Sequence, residues 1–358
     1  MKCKYLDHQT CVRSDGQFRL CCVSLEQTNK ENIKTHTPQE WHDSEFHKKV
    51  TEQMDNDIWP DACTRCEQQE EQGIDSMRTR VKPDGSRYVR NFYGPGLSHL
   101  DIRFGNSCNL KCVSCWEMSS SSIAEEAIEM KKAGIIPLHG ILEVPNFNWA
   151  SEETMKKFDD LPIREVYLTG GEPMMVRHLD KFLERLDSSV LVRFNTNGTL
   201  WNPKIEKLLR RFNMVIMSLS LDAASDKIDY IRSGSKWNEI EVNAQKYADF
   251  CKVDVTPTLS ILNALYYDEL KEYATKNNFK IYDNLLILPE WLHVKNAPDS
   301  LKEQFRGIHP DVDGWANHPS DPKIIEHFVN QITKKFIKNT AKCAFKAFQV
   351  NKLYIFVM

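Results

Sequence analysis

The chain has 358 residues, more than one small domain holds at roughly 100 to 200 residues each, so two modules or one large α/β barrel with an appendage are expected. With 41% hydrophobic and 27% charged residues and a net charge of −3, the composition excludes wholesale disorder, a fibrous repeat and an overall field that would draw the chain to nucleic acid. There is no apolar run of about 18 residues and no apolar segment behind the opening Met-Lys-Cys-Lys-Tyr-Leu-Asp, so neither a membrane partner nor a secretory route is expected, and the default location is a reducing cytoplasm. In that compartment eleven cysteines are too few for a disulfide scaffold, odd in number and clustered, which leaves their arrangement to be explained by chemistry.

The first group is Cys3, Cys11, Cys21, Cys22, Cys63 and Cys66. Ser14-Asp15-Gly16 predicts a hairpin turn between strands at 10–13 and 17–20. Trp41, Phe46 and Val50 fall at roughly helical spacing and predict a buried stripe, with His42 and His47 on the surface. A polar stretch follows, with Pro83-Asp84-Gly85 and Gly94-Pro95-Gly96 in it. It predicts four regions: a Cys-rich α+β module over 1–80, a linker over 81–97, a barrel over 98–290 and a helical extension over 291–358.

After the linker, β-branched and apolar runs alternate with helical patterns at intervals that suit βα units. Strands are expected at 100–104, 165–168, 191–195, 214–219, 253–259 and 280–288. Helices are expected at 123–132, capped by Ser122 with Glu125 and stopped by Gly134, and at 179–186, 205–212, 240–250 and 268–275. The insertion at 137–149 reads as a surface loop. Beyond 290, a helix at 324–337 precedes Cys343 and the apolar 353–358, either a strand against the barrel or a chain cut short of its natural end. Cys251 and Cys343 read as incidental thiols.

A parallel sheet of this kind places its site at the carboxyl ends of the strands. After the first expected strand comes Cys108-Asn-Leu-Lys-Cys112-Val-Ser-Cys115, three thiols within eight residues. Structural zinc and ordinary iron–sulfur clusters take four protein ligands, so three leave one position open for a substrate or cofactor. The competing reading is a zinc knuckle that borrows His99 or His139. Next come Gly170-Gly171-Glu172-Pro173, whose glycines admit a ligand to the backbone, then Asn195-Thr196-Asn197-Gly198-Thr199, then Ser220-Leu221-Asp222. Small polar groups on adjacent strand ends suit the hydroxyls and carboxylate of a nucleoside–amino-acid conjugate.

The order of these motifs resembles the radical S-adenosylmethionine superfamily over about residues 98 to 290. The resemblance implies a partial (β/α)6 TIM-like barrel, a 4Fe-4S cluster on Cys108, Cys112 and Cys115, and S-adenosylmethionine on the open iron. It assigns the methionyl ammonium to Gly170, Gly171 and Glu172, with Pro173 closing the turn, and groups Asn195 and Asn197 with the cofactor-facing residues. It assigns the ribose side to Ser220 and Asp222, and the carboxylate to Arg232. One departure is Ser114, where the family usually has an aromatic residue, with Trp116 just after. The implied reaction is reductive cleavage of S-adenosylmethionine to a 5′-deoxyadenosyl radical that abstracts hydrogen from a substrate. An electron donor of flavodoxin or ferredoxin type is implied as a partner.

The N-terminal group resembles the SPASM and twitch auxiliary modules of that superfamily, in which Cys-x9–15-Gly-x4-Cys precedes a Cys-x2-Cys. Here the module precedes the barrel instead of following it, and the further cysteines of a full SPASM set do not occur in 67–80. The resemblance implies one auxiliary 4Fe-4S cluster on Cys3, Cys21, Cys63 and Cys66, with Cys11 or Cys22 as alternates and zinc as the alternative metal. Enzymes of this kind often modify peptides or proteins, and others act on small molecules. The opposing class is a non-catalytic iron–sulfur or zinc protein that keeps the barrel, against which the intact Gly-Gly-Glu-Pro turn argues.

Overall fold

A computed structural model describes residues 1–25, 29–73, 75–79, 96–134 and 147–326. Its strands are β1 (Gln9–Val12), β2 (Phe18–Arg19), β3 (His99–Ile102), β4 (Lys111–Cys112), β5 (Glu165–Leu168), β6 (Leu191–Thr196), β7 (Met214–Leu219), β8 (Arg232–Ser233), β9 (Lys252–Val255), β10 (Thr258–Leu259), β11 (Lys280–Ile281) and β12 (Asn284–Leu285). Eight of them form one sheet in the order β11-β9-β7-β6-β5-β3-β1-β2. From β3 to β11 the strands are parallel and sit in chain order, which is the winding of a partial (β/α)6 barrel. The intervening helices include Ser121–Lys132, Leu179–Arg185, Pro203–Leu209, Trp237–Ala248 and Tyr267–Lys276.

Strand alternation divides the sheet into two chemistries. Leu100, Ile102, Val166, Leu168, Val192, Phe194, Met217 and Val255 are essentially inaccessible and share one core with Phe182, Leu183, Ile205, Ile240 and Leu270 of the helices. The alternate residues carry polar groups or thiols, apart from Ile216. Cys11, Asp101, Tyr167, Arg193 and Ile216 stand in one cross-strand row, and Asn195, Ser218 and Asp254 in the next row toward the carboxyl ends. Apolar side chains turned toward helices and polar ones toward the hollow are what a barrel with a ligand space requires.

The expected long strands at 253–259 and 280–288 are each broken in two. Pro257 lacks an amide hydrogen and interrupts the first, and its carbonyl accepts from Asn284 at 3.0 Å, after which β10 and β12 pair apart from the main sheet. The helix at Ser121–Lys132 is capped by Ser120, whose hydroxyl accepts from the Ile123 amide, and not by Ser122 with Glu125. Gly134 follows it at φ +71°, where a residue with a Cβ is disfavoured.

The N-terminal segment is continuous with the barrel sheet. β1 runs parallel to β3 over four registered pairs, and β2 returns antiparallel to it through a turn at Gly16, φ +87°. Phe18 stacks on Trp41 at 5.8 Å; of the expected stripe Trp41 and Val50 are buried and Phe46 is partly buried against the same core, but Trp41 belongs to the short helix Pro38–His42 and the other two to Glu45–Asp55, where Met54 is buried as well. His47 is not a surface residue. It is 2% exposed and meets the edge of Trp41 at 5.4 Å, so that its helix Glu45–Asp55 buries it together with Val50 and Met54.

Past β12 the chain forms short helical turns, among them Asp299–Lys302 and Pro310–Ala316. The expected helix at 324–337 beyond residue 326, Cys343 and the apolar 353–358 lie outside the described residues, as do His139 and most of the 137–149 insertion. Among the described residues no helix is long and apolar enough to cross a membrane.

Candidate active site

The three-cysteine loop is held from four directions. Cys112 lies in β4, which pairs antiparallel with β8, so Cys112 is opposite Arg232 and the Val113 amide donates to the Ile231 carbonyl at 2.9 Å. Ser121 Oγ accepts from the Cys108 amide at 3.1 Å and Ser122 Oγ donates to the Cys108 carbonyl at 2.7 Å, which ties the loop to a helix start. Asn109 Oδ1 accepts from Asn197 Nδ2, and Asn109 Nδ2 donates to Thr199, both at 2.9 Å. The Glu172 amide donates to the Ser107 carbonyl at 2.7 Å. Thus the motifs on successive strand ends converge on one loop.

Within it the thiols influence one another. Burial pushes Cys108 up to about 11, helped by Cys112 and Glu172, and pushes Cys115 up to about 12, helped by Cys112 and Cys108. Left alone, these two thiols stay protonated at neutral pH, whereas coordination to a cationic centre deprotonates a thiol outright. Three mutually interacting thiols on one loop are the soft donors that an iron–sulfur cluster takes. Arg232 adds a fixed cation: its Nη1 lies 4.0 Å from Cys112 Sγ and its Nε donates to Asp222 Oδ2 at 2.7 Å. Burial opposes that guanidinium charge, and Asp222 followed by Cys112 more than restores it.

The glycines of the Gly-Gly-Glu-Pro turn serve close contacts within the chain. A Cβ on Gly171, φ +53°, would stand 2.4 Å from the Ser107 carbonyl oxygen, and one on Gly170, φ +78°, 2.6 Å from Cβ and Cγ of Arg103. Glu172 is 1% exposed, and its carboxylate accepts from the Met174 amide at 3.0 Å, Thr196 Oγ1 at 2.8 Å and the Asn197 amide at 2.7 Å. Burial raises its pKa despite those donors. An ionised carboxylate has about four acceptor sites, so three are used and one is left for a further donor. Pro173 is buried and opens a turn behind it.

Asp222 is 3% exposed and held at both oxygens, since Oδ1 accepts from the Thr258 amide at 2.9 Å while Oδ2 holds Arg232. Asn195 and Ser220 are partly buried on neighbouring strand ends, with the Ser220 amide bonded to the Thr196 carbonyl at 2.9 Å. Trp116 is 42% exposed and donates to Ser119. His99 is buried, with Nδ1 2.9 Å from Ser98 Oγ. Nothing local in the chain marks Asn109, Thr196, Ser121 and Ser122 as supports of the loop, because such bonds depend on which strand ends meet. Arg103 was legible: the alternation Leu100-Asp101-Ile102-Arg103 already puts it on the polar face.

The second cysteine group also converges. Cys3, Cys21, Cys63 and Cys66 line one cavity with Leu6, Met54 and Arg78. Cys3 precedes the helix Lys4–His8, Cys21 follows β2, and Cys63 and Cys66 bracket the start of the helix Thr64–Glu71. Burial raises Cys3 to about 11 and Cys63 to about 12, and raises Cys21 well above the ordinary thiol range. Arg78 works against this at Cys3 and Cys63, and is itself fixed by Glu70 and stacked over Trp59 at 5.4 Å. Cys11 and Cys22 are electrostatic neighbours of both Cys21 and Arg103.

The family model for the radical SAM superfamily matches residues 102–290, more than half of the chain. A "probable GTP 3′,8-cyclase" of Archaeoglobus fulgidus is 26% identical over 53% of this chain and 59% of its own length. A GTP 3′,8-cyclase of Helicobacter pylori is 23% identical over 58% of this chain and 61% of its own. The chain thus spans about three fifths of these curated relatives. Among solved structures, native anSMEcpe with bound AdoMet aligns over 68% of this chain and 62% of that one, at TM-score 0.42 and 16% identity. The superfamily uses a 4Fe-4S cluster and S-adenosylmethionine, and requires an electron donor. With three cysteines on the loop after β3 and a parallel barrel of βα units around them, the chain belongs to the radical S-adenosylmethionine superfamily and is an enzyme.

Proposed function

We propose that Cys108, Cys112 and Cys115 hold a catalytic 4Fe-4S cluster and that the barrel hollow takes S-adenosylmethionine and a peptide or small-molecule substrate. When bound, cluster and cofactor supply a 5′-deoxyadenosyl radical for hydrogen abstraction, and the protein supplies position and exclusion of water. The observation that carries this reading is the convergence of the Gly-Gly-Glu-Pro turn, the Asn197 loop and the β8 strand on the three-cysteine loop. Glu172 binds the Asn197 loop to the turn and keeps one acceptor for the methionyl ammonium. Asn195 and Ser220 face the ribose side. Arg232, anchored by Asp222, keeps a positive charge beside Cys112 and receives the cofactor carboxylate. In this reading the family contact to Asp222 is indirect, through Arg232.

The cavity of Cys3, Cys21, Cys63 and Cys66 is the auxiliary cluster site, in a module over 1–80 whose strand β1 extends the barrel. A flavodoxin- or ferredoxin-like donor in the cytoplasm delivers the electron. The test is anaerobic reconstitution with iron and sulfide, then dithionite and S-adenosylmethionine: wild type forms 5′-deoxyadenosine and Cys112→Ala does not. Equal turnover by the two proteins would remove the assignment. Cys63→Ala with Cys66→Ala retains the barrel cluster and loses about four irons per chain, whereas zinc in wild type and no change in iron would refute the auxiliary cluster.

A further inference from the structure

One charged group in the barrel has no task in the chemistry above. Arg103 follows β3 and continues the face of Asp101. Its guanidinium makes no hydrogen bond and no ion pair within 4.0 Å among the described residues, although it lies on the polar side of the sheet with Asp101, Cys11, Cys22 and Tyr167 as its electrostatic neighbours. The side chain is nonetheless held. Its stem lies where Gly170 has no Cβ, and its backbone is pinned by the Trp149 indole, which donates at 2.9 Å to the carbonyls of both Arg103 and Arg13.

Arg13 is the second part of the arrangement. β1 and β3 are parallel with Val12 opposite Ile102, and the Arg103 amide donates to the Val12 carbonyl at 2.9 Å, so Arg13 and Arg103 end adjacent strands side by side. Arg13 is partly buried and likewise makes no side-chain ion pair among the described residues. Like charges on neighbouring strands destabilise a sheet, and here the backbones of the two arginines are tied together by one buried tryptophan, with Asp101 the carboxylate that acts most strongly on Arg103. By contrast, Arg193 in the row below already has its carboxylate, Glu165, at 3.0 Å.

We propose that Arg103, with Arg13 beside it, is the substrate's anion anchor, a fork for a carboxylate or phosphate group that enters the barrel next to the cofactor. This rests on the reading of the barrel hollow as the site of S-adenosylmethionine and substrate. Arginine suits such a task because its planar donors match either oxyanion in a bidentate way.

The test is equilibrium binding of inorganic pyrophosphate and of glutarate to the anaerobically reconstituted protein saturated with S-adenosylmethionine. Wild type binds one of the two probes, pyrophosphate if the natural group is a phosphate and glutarate if it is a carboxylate. Arg103→Gln weakens that probe about tenfold or more, Arg13→Gln weakens it less, and the affinity for S-adenosylmethionine stays within about twofold. Should Arg103→Gln fail to retain iron, Arg103→Lys and Arg13→Gln decide, and unchanged probe affinity in both overturns the proposal. It is also overturned if cofactor-loaded wild type binds neither probe, or if cofactor affinity falls in step with probe affinity, which would assign Arg103 to the cofactor. Failure of wild type to bind S-adenosylmethionine at all would instead overturn the underlying reading of the barrel.

Discussion

Replacing Arg232 by Gln tests whether the ion pair behind Cys112 is structural as well as electrostatic. Asp222 is 2% exposed at its side chain and Arg232 13%, and they meet at 2.7 Å, so neither charge has much water to fall back on. Removing one partner of a buried pair costs about 3–5 kcal/mol, because the other charge stays behind uncompensated. Here the Thr258 amide continues to donate to Asp222 at 2.9 Å, which places the expected loss near the lower end, about 3 kcal/mol. At about 2–4 °C per kcal/mol for a domain of this size, Tm falls by about 6–12 °C. The same measurement on Asp222→Asn and on the double variant completes a cycle. Since the double variant leaves no stranded charge, its loss should be smaller than the sum of the two single losses by about 2 kcal/mol. Additive losses, or a single-variant shift within 2 °C, would refute the argument that the pair is buried and mutually dependent.

Other expectations follow from particular contacts. Gly171→Ala meets a carbonyl oxygen at 2.4 Å with φ at +53°, so it should lose about 2–4 kcal/mol and most of its reconstituted iron, while Gly73→Ala, at φ +73° with nothing within 4 Å, loses about 1 kcal/mol. Equal losses by denaturation would show that the clash at Ser107 is not what the glycine avoids. Thr196→Val removes one of three donors to buried Glu172 and should cost about 1–3 kcal/mol in the same assay, with no cost counting against a structural role for that bond. His47 is held at about 4, chiefly by burial and then by His42. Its folded pKa lies below the unfolded value of about 6.5, so the folded state binds fewer protons: the stability is present above pH 6.5 and lost as pH falls toward 4, by about 3 kcal/mol. His47→Gln should flatten that part of the Tm profile, and an unchanged slope would move the acid sensitivity elsewhere.

The three-cysteine loop, the order of βα units and the N-terminal cysteine group were legible in the chain because each depends on neighbours in sequence. Three thiols within eight residues are held close by the chain itself, and the alternation in β6 and the spacing in Trp237–Ala248 mark one buried face each. Where long-range contact decides, sequence falls short. His47 reads as polar on a helix surface until Trp41 is seen to cover it. Why Gly170 and Gly171 have to be glycine is seen only in three dimensions, where Arg103 and Ser107 stand in the place of a Cβ.

The sequence by itself determined the family, the three-cysteine loop and the polar and apolar faces of the strands, since these follow from residue type and local period. Only the tertiary structure decided that β1 pairs with β3, which joins the N-terminal cysteines to the barrel and sets Arg13 beside Arg103. It also decided that Arg232, 120 residues along the chain, faces Cys112. The physical reason is the same for both: parallel and antiparallel pairing between distant strands is settled by shared burial and backbone hydrogen bonds, which no short stretch of chain contains.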